Sequence, residues 1–136
     1  MRQATMHWWP RYTFSIFAFF VATVIAFLSF VPLSIPIEVP SGLSVDKIFH
    51  AAAYFTLALS TSMAAVHDFD APFAVPRTAV FTFLYGGIIE VIQGVFLVYR
   101  TFEGWDLFAN ATGVLLFFVL GKTPLKIIFD KGNFLN

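Results

Sequence analysis

The sequence predicts an all-α integral membrane protein, a single transmembrane domain over 1–136 built as a four-helix transmembrane bundle with its N and C termini cytoplasmic. Three observations carry this. Of the 136 residues, 59% are hydrophobic and 12% charged, against about 45–50% apolar and about 25% charged in soluble domains. The 19 Phe are more than a water-facing fold of this size buries. The apolar residues also fall into four runs, three of which match the ~20 residues that cross a hydrocarbon core of ~30 Å. The net charge of zero leaves no basic stripe for phosphates, so no nucleic-acid partner is expected. With no Cys, neither a disulfide framework nor a thiolate metal site is available.

The first helix is expected over 12–31, where only Thr13, Ser15, Thr23 and Ser29 interrupt the apolar run. Arg2 and Arg11 precede it like the n-region of a signal peptide. The run is longer than the ~7–15 residues of a signal h-region and ends in prolines rather than at a small-residue cleavage site, which makes it a retained signal anchor. Pro32, Pro36 and Pro40 then force an extended connector. The second helix, 46–66, opens at Asp46-Lys47 and closes at a solvated polar turn, His67 to Pro72. The third, 77–98, carries Glu90 and Gln93 within its apolar run. The fourth apolar run, Leu107 to Leu120, would rise only roughly 21 Å. Reaching membrane length means including Trp105 and Asp106, so this helix is expected over 105–121. Gly86, Gly87 and Gly94 are expected to let helices approach closely.

Lys and Arg concentrate on cytoplasmic segments. Arg2, Arg11, Arg77, Lys122, Lys126 and Lys131, six of the eight basic residues, lie on the N-terminal segment, the second loop and the tail. That places these segments inside and sends the first and third loops outside. Trp8 and Trp9 then mark the inner aromatic belt and Trp105 the outer one. The tail from Lys122 to Lys131, mixed with Leu125, Ile127, Ile128 and Phe129, fits an anchor on anionic lipid.

In this orientation Asp46, Lys47, His50, Glu90, Gln93, Arg100, Asp106 and Asn110 all fall toward the outer face. Asp46 and His50 are i, i+4 apart, Glu90 and Gln93 i, i+3, Asp106 and Asn110 i, i+4, so each pair shares one stripe of its helix. Ionisable groups at membrane depth face the bundle interior or a wet cavity and find partners. Glu90 is the deepest, and His50 and Arg100 are its candidate partners.

The residues that carry this pattern also carry a resemblance. DKIFH at 46–50, Tyr54, the ExxQ of Glu90 and Gln93, Arg100, and DLFAN at 106–110 followed by Gly113 resemble, in order and spacing, the VanZ-like membrane protein family. The likeness covers roughly 44–115, three of the four helices. It implies a bacterial inner-membrane protein of the cell envelope, of the kind associated with resistance to the glycopeptide antibiotic teicoplanin. Glu103 departs from the pattern, standing where small or hydroxyl residues are commoner.

Two readings of the polar set stand side by side. In one it is an outward-facing site for a polar head group, a sugar-phosphate or an ion, with Lys47 and Arg100 holding an anion that Asp46 and Asp106 help to orient. In the other it is a structural knot that fixes helix register, as in a small accessory subunit of a larger membrane complex. A third alternative is an enzyme acting on a lipid head group with His50 and Glu90 as acid and base. Asp46, His50, Glu90 and Asp106 suit zinc or manganese chemically, but no HxxEH-like pattern joins them, so no metal or other cofactor is expected. Ser44, Thr101 and Thr112 lack an evident base for nucleophilic catalysis. Membrane lipid is the expected surroundings, and the ligand at the outer face is left open.

Overall fold

The structure, a computed structural model, describes residues 10, 12–31, 45–71, 73–98 and 103–121. They form α1 (Thr13–Phe30), α2 (Val45–Met63), a π-helical turn (Ala64–Asp68), α3 (Ala74–Phe96) and α4 (Gly104–Gly121), with no strand among the described residues. All four helices are long and apolar enough to cross a membrane. At 1.5 Å per residue, the 18 residues of α1 and of α4 rise about 27 Å. Trp8, Trp9, Ser44, Arg100, Thr101, the Pro32–Pro40 connector and the Lys122–Lys131 tail lie outside the described residues.

α2 is the central helix. It packs against α1, α3 and α4, most extensively against α4. Small residues make that contact close: a Cβ at Gly113 would overlap the carbonyl of Ala51, so the two backbones touch. Gly86 of α3 plays the same part against the ring of Tyr54, whose Cε1 a Cβ would meet at 2.6 Å. Gly87 does not, since a Cβ there would meet nothing, and Gly94 is exposed. One apolar cluster joins Ala58, Val66, Ala74, Val75 and Phe117; a second joins Ile25, Tyr54, Leu57, Ala79, Ile89 and Val114. Hydroxyls tie the helices further. Ser62 bonds Thr78 across α2 and α3, and Tyr85 donates to the Ala22 carbonyl at 2.7 Å.

The outer surface of the bundle inverts that of a soluble protein. Phe19, Phe96, Val95 and Trp105 are about 70% exposed or more, while Glu90, Gln93, Asp106 and Asn110 are buried. Polar groups inside and apolar groups outside is the arrangement a hydrocarbon solvent selects.

Both ends of α3 and the end of α2 differ from the sequence reading. α3 begins at Ala74 rather than at 77, because Pro76 is accommodated in the first helical turn, where its missing N–H has no intrahelical partner to lose. It ends at Phe96, two residues early, with Leu97 extended and its N–H bonded back to the Gln93 carbonyl at 3.2 Å. The expected solvated turn at His67–Asp68 is instead the π-helical continuation of α2, packed on α1. The Asp68 carboxylate accepts from the Ser15 backbone N–H at 2.7 Å and from its hydroxyl at 2.6 Å. The His67 ring lies on Phe14 with centroids 5.0 Å apart. Ser15 is in the first turn of α1, so Asp68 satisfies an otherwise orphaned helix N–H from another part of the chain.

Candidate functional site

At one end of the bundle meet the start of α2, the last turns of α3 and the start of α4. α2 brings Asp46, Lys47 and His50; α4 brings Asp106 and Asn110; α3 brings Glu90 and Gln93. The acidic residues sit in or beside the first turns of α2 and α4, where carboxylates are favoured by the helix dipole. Glu103 immediately precedes α4, and its carbonyl accepts from the N–H of Asp106 at 2.9 Å.

Lys47 is the hub of the outer part. Its ammonium bonds Asp106 Oδ1, Glu103 Oε2 at 3.0 Å and Asp46 Oδ2 at 3.3 Å. Asp46 and Glu103 are half exposed, Lys47 is 24% exposed and Asp106 only 8%, so the cluster grades from the surface inward. With three carboxylates on it, Lys47 is not free to hold an anion, which removes it from the anion-binding role the sequence suggested.

His50 lies one turn deeper. Its Nδ1 is 3.0 Å from Asn110 Oδ1. An amide oxygen only accepts, so Nδ1 carries the proton. Nε2 faces Asp46 Oδ1 at 3.8 Å and Asp106 Oδ2 at 4.0 Å, beyond hydrogen-bond range. Each of these two carboxylates thus gives one oxygen to Lys47 and turns the other toward His50.

Glu90 is deeper again, 1% exposed, and its Oε1 has no hydrogen-bond partner among the described residues. Asp106, His50 and Lys47 are its electrostatic neighbours, and the Asn110 amide stands beside it. The Asn110 Nδ2 likewise bonds nothing; the two groups are adjacent without meeting hydrogen-bond geometry. Leaving a buried polar atom unpaired costs about 1–3 kcal/mol. His50, expected as a partner of Glu90, is engaged by Asn110; Arg100, the other expected partner, lies outside the described residues. Gln93 is turned away from the cluster: its Nε2 donates to the Ser29 carbonyl of α1 at 2.7 Å.

Sequence reasoning missed two parts of this end and one feature farther back along α3. Glu103 is a full member of the ion cluster, and its signal was there, three residues before Asp106 at the start of a helix. Ser29 enters through its carbonyl, which no side-chain pattern reveals. Thr82 is fully buried with an unpartnered hydroxyl, and in the sequence it is one hydroxyl in an apolar run. No family model matches the chain, and neither a curated protein nor a solved structure matches it.

Proposed function

We propose that the chain is a multi-pass bacterial inner-membrane protein of the VanZ-like kind, with both termini cytoplasmic and the Lys47–Asp106 end at the outer face. Its role is in the cell envelope, at the outer leaflet, where the polar end engages an envelope ligand and affects susceptibility to a glycopeptide such as teicoplanin. The observation that carries this is Glu90. A carboxyl buried to 1% with an unpartnered oxygen is unfavourable for packing alone and is the kind of group retained at membrane depth for function. The ordered set Asp46, Lys47, His50, Tyr54, Glu90, Gln93, Arg100, Asp106, Asn110 and Gly113, in the spacing of that family, supports the family reading. The distribution of Lys and Arg supports the orientation.

The test is expression of the full chain in a teicoplanin-sensitive bacterium. The wild type should raise the minimum inhibitory concentration, and Glu90→Gln should abolish the rise at equal membrane abundance. Unchanged susceptibility with wild-type protein in the membrane would reject the envelope role. Glu90→Gln that fails to accumulate, or is polydisperse in detergent, would reject a chemical role for that carboxyl.

One observation favours a second reading, a structural subunit of a larger membrane complex. Lys47 ties α2 to α4 through Asp106 and Glu103, which fixes the register of the closest helix pair. Stoichiometric co-purification with a larger assembly after mild extraction would support that role.

A further inference from the structure

We propose that Asp46 Oδ1, His50 Nε2 and Asp106 Oδ2 form a binding site for one first-row divalent cation, with zinc the best match. This deepens the reading of the same polar end by naming a ligand for it.

The three side chains offer ligand atoms that all lie within 4.8 Å of one another. Proximity of acidic groups alone would not make a site; three further features do. The first is the imidazole. Its Nδ1–H is engaged by Asn110 Oδ1 at 3.0 Å, which leaves Nε2, the nitrogen that in the neutral ring carries the lone pair, facing two carboxylate oxygens at 3.8 and 4.0 Å. Three such atoms this close repel one another unless a second proton on the imidazole or a bound cation lies between them. A metal-binding histidine usually donates its other ring N–H to an outer acceptor that orients it, the part Asn110 Oδ1 plays here.

The second feature is charge. Lys47 is bonded to Asp46, Glu103 and Asp106; among the described residues of the cluster, three carboxylates against one ammonium leave an excess of two negative charges, the charge of one divalent ion. Lys47 does not block the site, because it takes Asp46 Oδ2 and Asp106 Oδ1 and leaves the opposite oxygens to face His50.

The third feature is the orphaned pair behind the ligands. Glu90, 1% exposed, has an unpartnered Oε1, and Asn110, 0% exposed, has an unpartnered Nδ2. Glu90 is in electrostatic reach of Asp106 and His50. In the proposed site they would offer an acceptor and a donor to a metal-held water, while Asn110 Oδ1 holds His50 and the Asn110 amide also stands beside the Glu90 carboxyl. One imidazole nitrogen with two carboxylates suits zinc or manganese, whereas calcium and magnesium favour all-oxygen sites. Metal bonds of ~2.0–2.2 Å place tetrahedral ligand atoms about 3.3–3.5 Å apart. The observed 3.8 and 4.0 Å, in a set whose atoms lie within 4.8 Å of one another, shorten to that on binding by side-chain rotation, for which Asp46 is half exposed.

The experiment uses the full chain in detergent, stripped with a chelator and titrated with Zn²⁺ by calorimetry in the presence of excess Mg²⁺. One zinc per chain is expected, with Co²⁺ substitution giving a visible absorption band of nitrogen–oxygen coordination. His50→Ala should abolish binding, and Asp46→Asn, at a position exposed enough to spare the fold, should weaken it severely. Glu90→Gln should keep the one-to-one stoichiometry and weaken binding by about 10–100-fold, as loss of outer-shell partners does. Monodisperse wild type that takes up no zinc would overturn the proposal, as would zinc held equally by wild type, His50→Ala and Asp46→Asn. Zinc binding without any effect on teicoplanin susceptibility would reject the envelope role and leave the metal site standing. A susceptibility effect in protein that binds no zinc would do the reverse.

Discussion

Lys47 sits where three carboxylates from two helices converge, with 24% of its side chain still exposed. Its pairs lie between two regimes. An exposed ion pair contributes about 0–1 kcal/mol, while removing one partner of a fully buried pair costs about 3–5 kcal/mol. The partner that decides is Asp106, 8% exposed, because it cannot turn to water when the ammonium is gone. Lys47→Met should therefore lower the detergent-solubilised melting temperature clearly, and Lys47→Met combined with Asp106→Leu should recover much of the loss. A double variant as unstable as the sum of the two single ones would show that the pair is not coupled. The i, i+4 spacing of Asp46 with His50 and of Asp106 with Asn110 made these residues legible as inward stripes, because helix geometry alone sets which side chains share a face. Partner choice across helices was not legible. Gln93 was grouped with Glu90 by spacing, yet it reaches a backbone carbonyl of α1, and any residue in that position of α1 would have presented the same carbonyl.

α1 contributes little burial of its own: only Ala18 and Ile25 are buried along it. Its attachment therefore depends on local anchors. At one end, Gln93 holds the Ser29 carbonyl; in the middle, Tyr85 holds the Ala22 carbonyl. At the other end Asp68, carried by the π-helical turn, accepts both the backbone N–H and the hydroxyl of Ser15. A π-helical turn widens the backbone spiral and re-aims the side chains that follow, which swings Asp68 from α2 toward the N-terminus of α1. Replacing a capping carboxylate by Ala costs about 0.5–2 kcal/mol, so Asp68→Ala should destabilise by that order. Ser15→Ala, which keeps the N–H bond, should cost less. Hydrogen exchange read by mass spectrometry should show the excess opening confined to the first turns of α1; protection lost evenly over all four helices would refute a local cap. At this scale, helix number and type were legible from run length, since the boundaries of α1 and α4 fall within a residue of those read from the sequence. α3 starts earlier than expected because a proline in a first turn, here Pro76, continues a helix without loss. The π-helical turn left no trace in the hydropathy pattern.

For the whole molecule, the arrangement of polar groups makes the two ends of the bundle unlike each other. The end bearing Lys47 and Glu103 is an ion cluster with a carboxylate excess; the other holds Asp68 in a cap and Arg77 over the Phe73 ring at 5.9 Å. Moving Lys or Arg across a bilayer during insertion is disfavoured, so the ends have a defined sense in a membrane. Lys47, three times paired with carboxylates, lies at the outer end in the proposed orientation, where that pairing would offset its charge. The absence of native Cys gives a clean background for locating each end. Val98→Cys, at a fully exposed position beyond the end of α3, should react in intact cells with a membrane-impermeant maleimide. Phe69→Cys, exposed beside the π-helical turn, should react only after the membrane is opened. The reverse pattern would turn the ion cluster to the cytoplasm and with it remove any envelope ligand from reach. Equal labelling of both sites in intact cells would mean that the four helices do not cross the bilayer as one bundle.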